Sequence, residues 1–171
     1  MRTETRAFVG VGSNLGARGS HIEFARVLLC RTTGIRGVRL SPLYRSTAIG
    51  PGVQPDYLNG VFEVQTTLAP ETLLARLQEI EAAAGRLRDE RWGARTLDLD
   101  LLVFGACRRA EQGLCVPHAR LKERNFVVYP LFDLAPELRL PDGTALADLR
   151  SALPTVGLLP ATGPESCDAG A

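Results

Sequence analysis

Two aspartates separated by one residue, Asp98-Leu99-Asp100, are the side chains in this sequence whose type and spacing best suit chemistry. Residues 97–104 predict a β-strand, in which alternate side chains share one face, so both carboxylates point the same way. Adjacent carboxylates repel unless a cation lies between them. Mg²⁺ suits such a pair and commonly completes its shell with substrate phosphates. The alternative interpretation is two solvated aspartates on an edge strand.

A cluster of arginines directly precedes this pair. The guanidinium group is a permanently charged, planar fork that matches phosphate oxygens. The segment lacks an apolar period, which predicts a loop that is mobile without ligands and closes over a polyphosphate. The alternative is a solvated loop with internal ion pairs, although the tryptophan within it favours closure. The residues concerned are Arg86, Arg88, Arg91, Trp92 and Arg95.

Two aromatic residues outside the apolar runs, Tyr57 and Phe126, could hold a flat heterocycle between their faces. Asn59 shares a strand face with Tyr57, and its amide could bind the edge of such a ring. Ordinary core packing is the alternative for both rings. His118 and Arg124 could contact a phosphate, or His118 could be a surface histidine without a role.

The order of predicted elements is β-α-β-β-α-β, beginning with a strand from Ala7. This order predicts an α+β fold, a ferredoxin-like sandwich in which helices pack on the faces of a mostly antiparallel sheet. A sheet face and its loops would then hold ligands. Residues 7–12 are predicted to form the first strand, which ends in glycines, and a turn-rich loop follows at residues 13–19. The Gly-Val-Gly-Ser-Asn stretch at 10–14 lacks the patterns of phosphate-binding glycine loops.

Composition places the chain among ordinary globular proteins. It has 171 residues and a net charge of +1, which gives no field to recruit nucleic acid or an anionic membrane. The four cysteines have no metal-ligand spacing. We expect a cytoplasmic monomer with one domain at residues 1–153 and a disordered tail at 154–171, because the tail lacks periodicity.

Several ordered blocks resemble the 6-hydroxymethyl-7,8-dihydropterin pyrophosphokinase family over residues 7–143. The most specific block reads Arg-Trp-Gly-Ala-Arg-Thr-Leu-Asp-Leu-Asp at residues 91–100. The other blocks are Gly-Ser-Asn-Leu-Gly at 12–16, Gly-Pro at 50–51, Gln-Pro-Asp-Tyr-Leu-Asn at 54–59, Glu81, Gly-Arg at 85–86, Val-Pro-His at 116–118 and Pro-Leu-Phe at 130–132. The resemblance implies a ferredoxin-like fold and a role in folate biosynthesis.

The family reaction implied by this resemblance is attack of a pterin hydroxymethyl oxygen on the β-phosphorus of ATP, which releases AMP. By the same resemblance, Asp98 and Asp100 bridge two Mg²⁺ ions. The implied pterin contacts are Tyr57, Phe126, Asn59 and backbone groups around Ser46 and Ile49. The implied ATP contacts are Arg86, Arg95, His118 and Arg124 at the phosphates, Gln78 and Glu81 near adenine and ribose, and Arg88 and Trp92 in the closing loop.

The sequence departs from the family pattern at a few positions. The arginine loop is one residue shorter. Gly113 and Ala119 replace, respectively, a basic residue and an aromatic or polar residue near ATP, and Cys115 takes a place often held by threonine. These departures bear on ATP affinity and on loop closure.

Two other functional classes remain as alternatives. A nucleotidyltransferase also uses a Gly-Ser turn with an acidic pair, but there the pair follows closely, whereas here Ser13 and Asp98 are far apart. An RNA-binding module with this architecture needs exposed aromatics and a basic surface. A content of 6% aromatic residues and a net charge of +1 argue against that module.

Overall fold

The structure is a computed structural model that describes residues 3–85 and 96–162. The predictions on Arg86, Arg88, Trp92 and Arg95, and on the tail beyond residue 162, therefore fall outside the described residues. Within the described ranges, no helix has the length and apolarity that crossing a membrane requires.

Eight strands and four helices form the described chain. The strands are β1 (Thr5–Ser13), β2 (Ile35–Leu40), β3 (Tyr44–Ser46), β4 (Tyr57–Thr66), β5 (Asp98–Phe104), β6 (Arg109–Glu111), β7 (Leu114–Val116) and β8 (Leu158–Pro160). The helices are α1 (Arg18–Arg31), α2 (Pro70–Ala83), α3 (Asn125–Leu134) and α4 (Leu146–Ala152), with a 3-10 turn at Leu121–Glu123. Pro70 begins α2 in the first turn, where its missing N–H costs nothing.

The main sheet has the order β5-β1-β4-β3-β8, and β2 also pairs with β4. Every pair in it is antiparallel. The first strand therefore lies between the last strand of the β-α-β-β-α-β unit and β4, which confirms the ferredoxin-like α+β prediction. The sequence predicts a single strand over residues 38–46, but the structure has two, β2 and β3, because Pro42 has no N–H for the ladder. At this break in the ladder the Ser41 hydroxyl accepts a hydrogen bond from the Val61 N–H at 2.9 Å, so this N–H group of β4 still has a partner.

Each face of the sheet has its own hydrophobic core. On one face, α1 and α2 pack against alternate residues of the central strands, for example Val9 and Phe62. On the other face, α3 and α4 pack on Phe8, Val61 and Leu102. The second pair of helices covers this face only in part, because Gly10 and Gly12 follow Phe8 on it and bring no side chain to a core. A cavity lies over this uncovered part.

The segment after α4 departs from the predicted disordered tail. Residues 158–160 form β8, which pairs with β3, and Leu158 is buried. Further backbone hydrogen bonds run from Ala161 N to Leu43 O at 2.8 Å and from Thr47 N to Gly157 O at 3.3 Å. The ordered domain therefore extends past residue 153. The prediction was wrong for residues 154–162 because an edge strand obtains its stability from pairing with a distant strand, which local composition does not reveal.

Gly60 provides a test of the packing between β4 and the β2–β3 connection. A Cβ at this position would lie 2.6 Å from Leu43 Cδ2 and 3.2 Å from Ser41 Oγ. We expect Gly60→Ala to lower the free energy of unfolding by about 1–3 kcal/mol, the usual cost of overpacking a core. Urea denaturation measures this change.

Gly10→Ala is the matched control, because its Cβ would meet Leu102 at an ordinary 3.4 Å. If the two variants have the same urea midpoint, close packing around Gly60 does not limit stability.

Candidate active site

A cavity of about 640 Å³ opens over the uncovered part of the sheet. Its floor consists of β1, β4 and β5, and its walls come from the 47–49 loop, the beginning of α3 and the segment after α4. The residues that were predicted from the sequence and that line it are Ser46, Ile49, Tyr57, Asn59, Asp98, Asp100, Arg124 and Phe126.

Strand register places the predicted polar groups in rows across this floor. Gly12 pairs with Asn59 on one side and with Asp98 on the other. Gly10 pairs in the same way with Val61 and Asp100. Asn59 and Asp98 are thus two strand spacings apart, about 10 Å, with only a glycine between them. The floor therefore leaves space for a ligand that extends from the amide to the carboxylates.

These two glycines lie at the end of the predicted first strand, which the structure extends by one residue, to Ser13. Pairing with strands on both sides keeps this stretch extended despite its glycines. A Cβ on Gly12 would lie 3.3 Å from Asn59 Oδ1 and 3.5 Å from Tyr57 Cδ1. A side chain at this position would therefore press on the Asn59 amide and lie in contact with the Tyr57 ring. The Gly-x-Gly spacing was a signal for this floor, because it removes two successive side chains from one face of a strand.

Asp98 and Asp100 lie half-buried on the cavity face of β5, while Leu99 and Leu101 point into the opposite core. β5 is an edge of the main sheet, as the alternative interpretation supposed, but its acidic face forms a cavity wall. An edge strand needs partners for its outward N–H groups. Glu81 of α2 provides one, since its Oε1 accepts a hydrogen bond from the Leu99 N–H at 2.7 Å. Glu81 is buried and fixes the strand between the two aspartates.

The end of the cavity nearest β3 is neutral. The Asn59 amide donates hydrogen bonds to Ser46 Oγ at 2.7 Å and to Tyr44 O at 3.4 Å, which orients the side chain. Its Oδ1 lies over Gly12 and faces the cavity floor. Tyr57 lines this end, and so does the apolar side chain of Ile49. A neutral, planar ligand with N–H donors at its edge fits these groups.

The other end of the cavity is charged. Arg120, Glu123 and Arg124 line it together with the two aspartates. Arg120 and Glu123 form an ion pair at 3.3 Å. The Arg124 guanidinium lies 5.6 Å from the centre of the Phe126 ring, a cation–π distance that places a positive charge beside an aromatic face. Cationic side chains close to a carboxylate pair are suited to a polyphosphate bound through a metal ion.

His118 lies beside this charged end, although it lines an adjacent pocket of about 190 Å³ instead of the main cavity. Its backbone N–H donates to Leu102 O at 2.9 Å, and its Nδ1 accepts from the Arg120 N–H at 3.1 Å. Burial lowers the pKa of His118, the Asp100 carboxylate opposes that effect, and Arg124 adds to it. The charges of Asp100 and Arg124 in the main cavity therefore act on the His118 imidazole, although His118 lines the adjacent pocket.

The donor set fits Mg²⁺ rather than a metal held by protein ligands alone. Within residues 3–85 and 96–162, no group of three or more His, Cys, Asp or Glu side chains could hold a metal ion. Asp98 and Asp100 supply two carboxylates, and Mg²⁺ commonly binds through one or two carboxylates with waters and substrate phosphates completing its shell.

Other predicted residues lie away from the cavity wall. Gln78 is exposed on α2, and Glu81 of the same helix contacts β5. The departures Gly113, Cys115 and Ala119 are exposed and do not line the main cavity. Residues that line it without having been predicted include Thr47, Arg120, Glu123, Asn125, Leu153 and Val156. Their positions depend on contacts between elements distant in sequence, so no local pattern marked them.

Comparison with known proteins agrees with this geometry. Residues 8–136 match the family described as 7,8-dihydro-6-hydroxymethylpterin-pyrophosphokinase (HPPK). A Pseudomonas aeruginosa protein named 2-amino-4-hydroxy-6-hydroxymethyldihydropteridine pyrophosphokinase is 48% identical over 153 residues, which cover 90% of this chain and 94% of that protein. A Haemophilus influenzae protein of the same name is 38% identical over 143 residues, which cover 84% of this chain and 89% of that protein.

Solved structures share the fold. A Plasmodium falciparum HPPK-DHPS triple mutant solved with STZ-DHP superposes with a TM-score of 0.68 at 12% identity. The match covers 88% of this chain but only 43% of that one, so the chain spans less than half of that solved protein. At this identity the likeness concerns the fold alone. The matched sequence, in contrast, includes the carboxylates, the amide and the aromatic residues that surround the cavity, and the chain therefore belongs to the 7,8-dihydro-6-hydroxymethylpterin-pyrophosphokinase family.

Proposed function

We propose that this protein transfers pyrophosphate from ATP to the hydroxymethyl group of 6-hydroxymethyl-7,8-dihydropterin, giving the pterin diphosphate and AMP in folate biosynthesis. The observation that carries the proposal is a single cavity with a neutral end and a charged end. The neutral end has ring-binding groups, and the charged end has a carboxylate pair beside arginines. Membership of the pyrophosphokinase family supports the same reaction.

The neutral end suits the pterin ring. Tyr57 offers an aromatic face at this end, and Phe126, beside Arg124 at the start of α3, offers a second face from the cavity wall. Asn59 Oδ1 offers an acceptor for N–H groups at the ring edge. The glycine floor lets the hydroxymethyl group extend along the sheet toward Asp98. Because two strand spacings are about 10 Å, a bicyclic ring with one exocyclic carbon can span from amide to carboxylate.

The charged end suits the triphosphate. Asp98 and Asp100 would hold Mg²⁺, and we propose two ions. When bound, they neutralise phosphate charge and lower the pKa of the attacking alcohol. The hydroxymethyl oxygen forms a bond to the β-phosphorus of ATP. The bond from that phosphorus to the oxygen bridging the α- and β-phosphorus atoms breaks, and AMP leaves with that oxygen. Asp98 or Asp100 would accept the alcohol proton. Arg124 stabilises the charge that spreads over the transferred group.

The remaining assignments are part of this proposal. Arg86 and Arg95 would bind phosphates, and Arg88 and Trp92 would close over both substrates. His118 would contact phosphate, and Gln78 and Glu81 would lie on the nucleoside side. For Glu81 the hydrogen bond to Leu99 supports a second, structural role. We also propose a monomer that acts in the cytoplasm.

Product identity tests the reaction class. Purified protein mixed with ATP, Mg²⁺ and 6-hydroxymethyl-7,8-dihydropterin should form AMP one-for-one with a pterin diphosphate, and chelation of Mg²⁺ should stop turnover. Chromatography of the nucleotides measures the outcome. ADP in place of AMP would indicate ordinary kinase chemistry, and turnover independent of pterin would contradict the proposed acceptor.

The carboxylate pair provides a second test. We expect Asp98→Asn or Asp100→Asn to reduce kcat at least tenfold, one step of about 1.4 kcal/mol in activation free energy, because each substitution removes a metal ligand but keeps the side-chain shape. AMP production at saturating substrates measures the effect. Asp148→Asn removes the same charge from an exposed position on α4 and is the matched control. Retention of more than about a tenth of the activity in both site variants would overturn the metal assignment.

The glycine floor provides a third test. We expect Gly12→Ala to raise the KM for pterin by about tenfold, because its Cβ would lie 3.3 Å from Asn59 Oδ1 and must displace that amide. The KM for ATP is the internal control and should stay within about twofold. Steady-state kinetics with each substrate varied in turn separate the two effects. An unchanged pterin KM would show that ring binding does not depend on the Asn59 position.

A further inference from the structure

The segment after α4, residues 153–157, forms one wall of the cavity although no motif marks it. Leu153, Pro154, Val156 and Gly157 all line the cavity. Residues 153–161 read Leu-Pro-Thr-Val-Gly-Leu-Leu-Pro-Ala and carry no charged side chain. A neutral, apolar wall suits a heterocyclic ring and not a triphosphate, since charged phosphates need charged or hydrogen-bonding partners.

Hydrogen bonds hold this wall at both ends. The Tyr129 hydroxyl donates to Leu153 O at 3.1 Å. At the other end, Thr47 N donates to Gly157 O at 3.3 Å, and Leu158 pairs with Ser46 in the β3–β8 ladder. Because Ser46 also accepts the Asn59 hydrogen bond, the wall joins the sheet beside the neutral end of the cavity.

Asn125 fixes the middle of the wall. Its side-chain N–H₂ group donates to Pro154 O at 2.9 Å and to Val156 O at 3.2 Å. Asn125 is the first residue of α3 and lies between Arg124 and Phe126, which both line the cavity. One amide thus links the helix that carries these two residues to the backbone of the wall.

Val156 is 84% exposed, although its backbone carbonyl is held by Asn125. Ile49, across the Thr47–Gly157 contact, is 74% exposed and also lines the cavity. Hydrogen bonds hold the backbone in place here, while the apolar side chains stay exposed beside the cavity. Such side chains provide a surface that a ligand can cover.

We propose that Val156 contacts the heterocyclic ring of the substrate as a further binding residue, and that Asn125 is a positioning residue that holds Val156 against it. This inference rests on the proposed function. It assigns the pterin, and not ATP, to the wall formed by residues 153–157, and it gives the segment after α4 a part in substrate selection.

The test compares substitutions at Val156 with one at Leu159. Leu159 is 66% exposed on the same segment but does not line the cavity, so Leu159→Ala is the matched control. We expect Val156→Ala to weaken pterin binding about three- to tenfold, because apolar contact is lost, and Val156→Asp to weaken it more. Leu159→Ala should leave it within about twofold. Titration calorimetry with the pterin and a non-hydrolysable ATP analogue measures affinity without turnover.

The kinetic pattern should agree with the binding result. In the Val156 variants, KM for pterin should rise while kcat and KM for ATP stay within about twofold of the wild type. Thermal unfolding confirms that each variant is folded, which Val156 permits because it is exposed.

Coupling tests the positioning role of Asn125. Asn125→Ala alone should raise the pterin dissociation constant. The dissociation constant of the Asn125→Ala/Val156→Ala double variant should lie within about twofold of that of whichever single variant binds pterin more weakly. Additive effects would show that Asn125 does not act through Val156.

The outcomes separate this inference from the proposed function. If the wild type forms AMP and pterin diphosphate but both Val156 variants bind pterin as the wild type does, the inference is wrong and the proposed function stands. An equal loss of pterin affinity in Leu159→Ala and Val156→Ala also overturns the inference. If the wild type neither turns over nor binds pterin, the proposed function itself fails.

Discussion

The pairing of β1 with β4 on one side and β5 on the other is the constraint on which the site depends. It aligns Gly12 between Asn59 and Asp98, and Gly10 between Val61 and Asp100. Because side chains alternate along a strand, a slip of one residue in either pair would turn the Asn59 amide or the carboxylates into the opposite core. The cores on both faces resist such a slip, since Val9 and Phe8 must enter different ones.

The cavity exists because helices cover the second face only in part. Helices α1 and α2 pack on the first face, and α3 and α4 pack on the second where Phe8, Val61 and Leu102 supply side chains. Beyond these residues the glycines of β1 offer nothing for a helix to pack on. Gly10 and Gly12 therefore lie at the boundary between the core and the site, and the floor of the site consists of sheet backbone. Glu81 supports this floor where the edge strand would otherwise lack a partner.

Charge is divided along the cavity, and the proposed assignment of the two substrates to its ends rests on this division. The aspartates, Arg120 and Arg124 lie together, whereas the cavity-lining residues of β3, the 47–49 loop and residues 153–157 are neutral, with Ser46 the one that β3 contributes. A polyphosphate with its metal ions needs the first environment, and a planar uncharged ring needs the second. Under the proposed function, the hydroxymethyl group would join the two ends and bring the reacting oxygen beside the carboxylates, without covalent catalysis by the protein.

The sequence by itself determined the element order, the alternation that puts Asp98 and Asp100 on one face, and the motifs at residues 54–59 and 91–100 that indicate the family. These features are local, so spacing along the chain is enough to show them. The glycine floor, the edge support from Glu81 and the wall at residues 153–157 were decided only by the tertiary structure. Each depends on strand register or on hydrogen bonds between residues far apart in sequence. The Gly-x-Gly spacing marks the glycines of the floor, but the partner residues that complete the floor, the edge support and the wall leave no local pattern, because contacts with distant residues supply the free energy.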